Sequence, residues 1–311
     1  MSKFETVAYF AAWKKEGIRR TKYEYLTQIN YAFAIPTVDG EVLPLEYPEV
    51  VQRLIKEAHE HDTKVLISLG GWSWLDIPLE DTFVKATETP EKTRKLVDSI
   101  MAVVDEYGFD GIDVDWEYPR KSRGSDKQNE YLVELLAERL HAQGKLLTVA
   151  VIGGCYSLRT DLDHPDVQAS LDVCAGYTDK ALALYDQINI MAYDGGDEAA
   201  FSSYEMAVSC AEYWRDHRGI AGEKITLGVP FYGRPGGSYT DLFAFDGDAD
   251  KTDNVDLGNG KVSWHNGIPT MRKKTRYAKD TLGGIMIWEI AQDAMNPEKS
   301  LLKAIYDEAN K

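Results

Sequence analysis

The chain has 311 residues, of which 44% are hydrophobic and 28% charged; this is ordinary globular usage and excludes dominant disorder, collagen and a disulfide scaffold. Its 35 Lys and Arg stand against 51 Asp and Glu, a net charge of −16, which disfavours nucleic acid or an anionic membrane as partner and leaves a neutral sugar unpenalised. No run approaches the roughly 20 apolar residues that cross a bilayer, and a chain of this length suits two domains or one α/β barrel.

The opening Met1-Ser2-Lys3-Phe4-Glu5 lacks an apolar leader, and strand-like residues begin at Val7. That predicts a cytoplasmic protein, or a secreted one whose signal has been removed. Short apolar runs then recur, each followed by a polar, helix-like stretch. They are Val7–Phe10, Ile29–Ala34, Lys64–Leu69, Gly111–Trp116, Leu146–Val151, Gln187–Ala192, Ile225–Pro230 and Gly283–Ile290. Helical 3–4 spacing appears in Pro48–His61, Pro90–Tyr107, Gln128–Gln143, Tyr204–Gly219 and Met271–Asp280. Thr89-Pro90-Glu91 is a helix start: a Thr cap, a Pro in the first turn, then an acid.

Eight such units predict an α/β fold, a single (β/α)8 TIM barrel covering residues 1–311. A doubly wound sheet would need a Gly-rich phosphate turn after the first strand, and Tyr9-Phe10-Ala11-Ala12-Trp13 stands there instead; no P-loop or HExxH occurs. Residues 235–270 form a short irregular insertion between strands seven and eight. Within it Asp246, Asp248 and Asp250 imitate the start of a calcium loop, but Lys251 and Leu257 stand where Gly and Glu are needed, so a solvated loop is expected. Cys155, Cys174 and Cys210 lack metal or CxxC spacing and are expected as buried thiols. His59 and His61 do not share a helix face and are expected at the surface; His141, His164, His217 and His265 have no partner at ligand spacing.

The chemistry concentrates in Phe109-Asp110-Gly111-Ile112-Asp113-Val114-Asp115-Trp116-Glu117-Tyr118-Pro119. Alternation along a strand puts Asp113, Asp115 and Glu117 on one face and Ile112, Val114 and Trp116 on the other. Helices cover the outside of a barrel, so the acids must point inward. Three buried like charges cannot all ionise cheaply, so one pKa rises, as a general acid near neutral pH requires. Glu117 falls at the carboxyl end of the strand, where barrels carry their active sites.

This segment resembles the DGxDxDxE signature of glycoside hydrolase family 18, the chitinases and endo-β-N-acetylglucosaminidases. Ser68-Leu69-Gly70-Gly71 resembles that family's SxGG, Met191-Ala192-Tyr193-Asp194 its MxYD, Pro230-Phe231-Tyr232-Gly233-Arg234 its seventh-strand end, and Trp288 its eighth-strand tryptophan. The resemblance implies that Glu117 is the general acid and later base. The substrate's own acetamido oxygen would attack C1 to form an oxazolinium ion, with retention of configuration. It implies that Asp115 orients the acetamido group, that Asp113 shares a proton with Asp115, and that Tyr193 donates to the acetamido carbonyl. Trp288 would floor the pocket. Asp194, Tyr232, Arg234, Trp72, Tyr9, Phe33, Met191 and Gly71 are expected to contact substrate or line its pocket. Ser68 is expected to support Asp113, Trp13 and Trp74 are either platforms or packing, and Trp214 is core. No metal or organic cofactor is implied, and family members suggest a cis peptide at Trp288–Glu289.

The short segment between strands seven and eight lacks the α+β module of many processive chitinases. A shallower cleft and endo cleavage of chitin or chitooligosaccharides are therefore expected; a monomer is expected as well. Tyr193 favours β-1,4-linked N-acetylglucosamine over N-glycans, for which an endo-β-N-acetylglucosaminidase is the alternative. A peptidoglycan-type glucosaminidase and an inactive chitin-binding lectin are the other readings.

Overall fold

A computed structural model describes residues 4–154, 163, 165–195, 201–258 and 260–311. Eight parallel strands close into a barrel: β1 (Glu5–Ala11), β2 (Gln28–Ala34), β3 (Lys64–Gly71), β4 (Gly111–Trp116), β5 (Leu146–Ile152), β6 (Gln187–Met191), β7 (Ile225–Pro230) and β8 (Gly284–Trp288). They follow one another around the ring, and β8 pairs with β1 from Glu5↔Gly284 to Ala8↔Ile287. Each expected apolar run is found as one of these strands, with ends moved by at most two residues.

The helices are α1 (Pro48–His59), α2 (Glu80–Ala86), α3 (Pro90–Tyr107), α4 (Ser125–Ala142), α5 (Pro165–Gly176), α6 (Asp179–Leu184), α7 (Tyr204–Glu212), α8 (Tyr239–Leu242), α9 (Ile268–Thr281) and α10 (Leu301–Ala309). The Thr89 hydroxyl caps α3 by accepting from the Lys92 amide, Pro90 fills the first turn, and Gly108 ends the helix at φ 78°. The stretch predicted as Tyr204–Gly219 leaves α-helical geometry after α7 and continues as a π-helical turn, Tyr213–His217. Residues 235–270 carry more structure than the sequence suggests. They hold α8 and an antiparallel hairpin, Asn254–Asp256 against Val262–Trp264, tied to the end of β7 by the Arg234–Trp264 bridge.

The barrel wall separates two kinds of packing. Outward residues such as Ile67, Ile112, Val114, Val149, Ile190 and Leu227 join the large apolar core beneath the helices. Inward residues form a separate small cluster of Val7, Tyr9, Ala32 and Met286, with buried polar side chains at Gln28, Asn30, Ser68, Asp113, Thr148, Asn189 and Thr226. The acids therefore sit inside a barrel whose lower interior is polar and hydrogen-bonded.

Asp246 accepts from the Asp248 amide and Asp248 pairs with Lys251; no acid or histidine cluster among the described residues could hold a metal ion. His59 and His61 are exposed, and His59 meets Asp110 at 2.8 Å. His265 is buried against the Ala249 carbonyl. Cys174 and Cys210 are buried, while Cys155 and His164 lie outside the described residues. No helix among the described residues is long and apolar enough to cross a membrane.

Candidate active site

Strand β4 aims Asp113 and Asp115 into the barrel, and Glu117 follows at its carboxyl end. Asp113 lies deepest. Its Oδ2 accepts from the Tyr9 hydroxyl (2.7 Å) and the Ser68 hydroxyl (2.8 Å). Its Oδ1 accepts from the Thr148 hydroxyl (2.7 Å) and the Asn189 amide (3.1 Å). Burial pushes the Asp113 pKa up, and those four donors oppose the rise. Asn189 is fixed in turn by Gln187 (2.8 Å) and Thr226 (2.6 Å), both donating to its Oδ1.

Asp115 is in a different state. Its Oδ1 is buried with no hydrogen-bond partner among the described residues. Burial first, then the charges of Glu117 and Asp113, pushes its pKa well above the usual carboxylate range. With four donors Asp113 is the better placed of the two to carry charge, and with few Asp115 is the better placed to hold a proton. Glu117 is pushed up to about 7, chiefly by burial and further by Asp194, against a hydrogen bond from Tyr118. A carboxyl group with that pKa holds its proton at mildly acidic pH and can release it at neutral pH, as acid and base duty in one cycle requires.

Above the acids opens a cleft of about 1000 Å³. Trp288, at the end of β8, borders it, flanked by Tyr9 (ring centroids 5.4 Å apart), Phe33 (6.0 Å) and Trp13 (6.2 Å). Trp13 is 52% exposed and Trp72 61%, and Trp72 lies 6.4 Å from Tyr118. A further wall is polar. Arg234 grips Asp194 with two nitrogens, Nε on Oδ1 (2.8 Å) and Nη2 on Oδ2 (2.9 Å). Tyr232 packs edge-on against Tyr193 at 6.3 Å. Charged groups with aligned partners and flat rings around a strand-end carboxyl suit a neutral, hydroxyl-rich ligand with apolar faces.

Residues 5–293 match the model of glycosyl hydrolases family 18. The chain belongs to that family. Among curated relatives, a chitinase-like effector of Moniliophthora roreri is 29% identical over 249 residues, covering 73% of this chain and 57% of that protein. Chitinase B of Serratia marcescens is 27% identical over 260 residues, covering 70% and 52%. The chain thus spans about half the length of the curated relatives it matches. Among solved structures, the GH18 chitinase ChiB of Flavobacterium johnsoniae superposes with a TM-score of 0.79 at 28% identity, covering 99% of this chain and 94% of that one. A chitinase from Bacteroides thetaiotaomicron gives 0.80 at 27%, covering 99% and 97%. Human YKL-39, described as a pseudo-chitinase with retained chitooligosaccharide binding, shares the fold at 20% identity.

Within this family 18 barrel, Asp115, Glu117, Tyr193, Asp194, Met191, Tyr232, Arg234, Trp72, Phe33 and Trp288 all border the cleft, and so does Trp13. Tyr9 and Gly71 are buried and pack against residues that border it, Tyr9 on Trp288 and Gly71 on Phe33. Tyr9 is buried and spends its hydroxyl on Asp113. Gly71, at φ +95°, leaves the space in which the Phe33 ring sits: a Cβ there would approach the ring to 2.7 Å. Ser68 supports Asp113 as expected. Trp74 packs against the outer core and Trp214 is buried, its indole donating to the Ile152 carbonyl at 2.9 Å. The Trp288–Glu289 peptide is cis, as are Ala32–Phe33 and Glu117–Tyr118.

Sequence reasoning missed several cleft residues. Tyr118 bonds to Glu117. Lys14 reaches across 275 residues of sequence to Glu289 at 2.8 Å, and Gln292 lies nearby on the same rim. The adjacency of Tyr118 to Glu117 and of Glu289 to Trp288 was the available signal; nothing local pairs Lys14 with its partner.

Proposed function

We propose that this protein is a retaining, endo-acting chitinase that cleaves β-1,4-linked N-acetylglucosamine by substrate-assisted catalysis. The observation that carries the reading is Glu117: a strand-end acid raised to about 7, on the cleft, with the donor-poor Asp115 beside it and Trp288 on the same cleft. The named relatives, several of them chitinases, point the same way.

In the proposed cycle a sugar stacks on Trp288 and Glu117 passes its proton to the glycosidic oxygen. The bond from that oxygen to C1 breaks as the substrate's acetamido carbonyl oxygen attacks C1 from the opposite side. No enzyme carboxylate bonds to the sugar. Asp115 accepts the acetamido N–H and, as positive charge develops, yields its proton to Asp113. There the Ser68 and Thr148 hydroxyls can turn from donor to acceptor. Tyr193 donates to the acetamido oxygen and holds it on line. Glu117, now a carboxylate, takes a proton from water, which attacks C1 from the face that the leaving group vacated as the bond from C1 to the acetamido oxygen breaks, and the proton on Asp113 returns to Asp115. Configuration is retained and every group returns to its starting state. Two exposed tryptophans with different neighbours, Trp13 and Trp72, support binding of several sugars at once, as endo cleavage requires.

The test is initial rates on chitotetraose and on an N-glycan, with wild type and Glu117→Gln side by side. The proposal expects chitotetraose turnover that falls by about three orders of magnitude in the variant. Turnover of the N-glycan alone would move the assignment to the glycan-releasing branch. Binding of chitotetraose without cleavage of either would make the protein a lectin.

A further inference from the structure

Lys274 lies on α9 and is fully buried. Its ammonium donates to the Ser202 carbonyl (2.8 Å), the Ser202 hydroxyl (2.8 Å) and the Asn266 side-chain oxygen (2.7 Å). All three hydrogens are used, and among the described residues no carboxylate pairs with it. Lysines are almost never fully buried without an ionic partner, because desolvating the charge is costly. Here burial pushes the amine down to about 7. An apolar side chain would fill the space without that cost, so the amine's value lies in what it joins.

Both acceptors belong to segments that build the cleft. The Ser202 hydroxyl also reaches the carbonyl of Ala192, next to Tyr193, at 3.4 Å. The neighbouring Phe201 accepts from the Gly195 amide (3.2 Å) and packs edge-on against Tyr232 at 5.4 Å. Asn266 follows Trp264, which exchanges two backbone hydrogen bonds with Arg234, each 2.9 Å. The Asn266 amide donates back to the Ser202 carbonyl at 2.8 Å. One amine therefore ties the segment after β6, which bears Asp194, to the segment after β7, which bears Arg234.

We infer that Lys274 is a positioning residue: its ammonium sets the spacing of these two segments, so that Asp194, Arg234 and Tyr232 meet the substrate as one preformed wall. Lys274 touches no substrate itself. The kinetic consequence rests on the chitinase reading above, whereas the mechanical one does not.

Two measurements separate them. The first is amide hydrogen exchange of the substrate-free protein, wild type against Lys274→Met, which keeps volume and removes the three donors. The amides of Gly195, Arg234 and Trp264 should exchange together, about tenfold faster or more, with those of β4 unchanged. Faster exchange confined to α9 would overturn the inference. The second is a double-mutant cycle on chitotetraose. Lys274→Met should raise KM about tenfold with kcat within about threefold, and adding it to Arg234→Ala should raise KM no further than the larger single change. Effects that multiply would mean independent roles and would overturn the inference as well. If Lys274→Met does not fold, Ser202→Ala removes one acceptor and leaves the amine, and the same cycle should be non-additive at about threefold amplitude. A wild type inactive on chitotetraose sinks the chitinase reading and leaves hydrogen exchange to decide on Lys274.

Discussion

The two faces of β4 obey different rules although they alternate residue by residue. Ile112, Val114 and Trp116 face out into the apolar core, where Trp116 stacks on Phe83 with ring centroids 4.8 Å apart and planes 9° from parallel. Their contribution scales with buried area and has no direction. Asp113 and Asp115 face in, and their state depends on which donors reach them. The difference teaches that volume-conserving changes should be tolerated outside the barrel wall and not within it.

Glu117→Gln should cut that comparison most deeply, because it preserves shape and removes only the transferable proton. Turnover of chitotetraose should fall about 10³-fold with the circular dichroism spectrum unchanged; a loss below tenfold would mean that shape, not the proton, matters on the inner face. Next comes Asp113→Ala, which leaves four donors without their acceptor and should lower stability by roughly 3–5 kcal/mol in urea unfolding. On the outer face Ile112→Val should cost only about 0.5–1.5 kcal/mol. Equal costs for the two would abolish the distinction.

The pH dependence follows from Glu117. Its pKa in the folded protein is raised to about 7, above the roughly 4.3 of an unfolded glutamate. Between those values the folded state binds the extra proton, so the stabilisation is complete below about pH 4 and is lost as pH rises through about 7, at most roughly 4 kcal/mol. Glu117→Gln should therefore unfold at higher urea than wild type at pH 8, and with a smaller or reversed gain at pH 5. Turnover by the wild type should decline as pH rises past 7. Superimposable stability profiles of the two proteins would show that Glu117 titrates as an ordinary carboxyl. The smallest inner-face effect is Gly71→Ala, where the methyl group meets Phe33 at positive φ. Roughly 1–3 kcal/mol of stability should be lost, with a raised KM as Phe33 shifts; an unchanged melting temperature would mean that the ring simply moves aside.

Most of the barrel was legible because buried parallel strands read as apolar runs, and the acids stood out because charge on an alternating strand must choose a face. The supporting interior did not read the same way. Thr148, Asn189 and Thr226 look in sequence like the solvated side of a strand, yet they are wholly buried and serve Asp113. Lys274 stands beside the exposed Lys273 in a polar helix, so periodicity alone cannot tell the buried amine from the solvated one. Tyr9 was expected to line the pocket from the family resemblance; that its hydroxyl also serves Asp113, 104 residues away, is nothing a local pattern can show. The hairpin within 235–270 was invisible because its strands are only three residues long.

The four donors on Asp113 are 104, 76, 45 and 35 residues away in sequence. Contacts so distant form late, since each must first close a long loop of chain. They also come from β1, β3, β5 and β6, so no run of neighbouring strands on one side of β4 can supply them all. A sheet without β1 therefore holds Asp113 on Ser68, Thr148 and Asn189 but lacks the Tyr9 hydroxyl. Docking of β1 to close the barrel is therefore the step that completes the anchoring of Asp113.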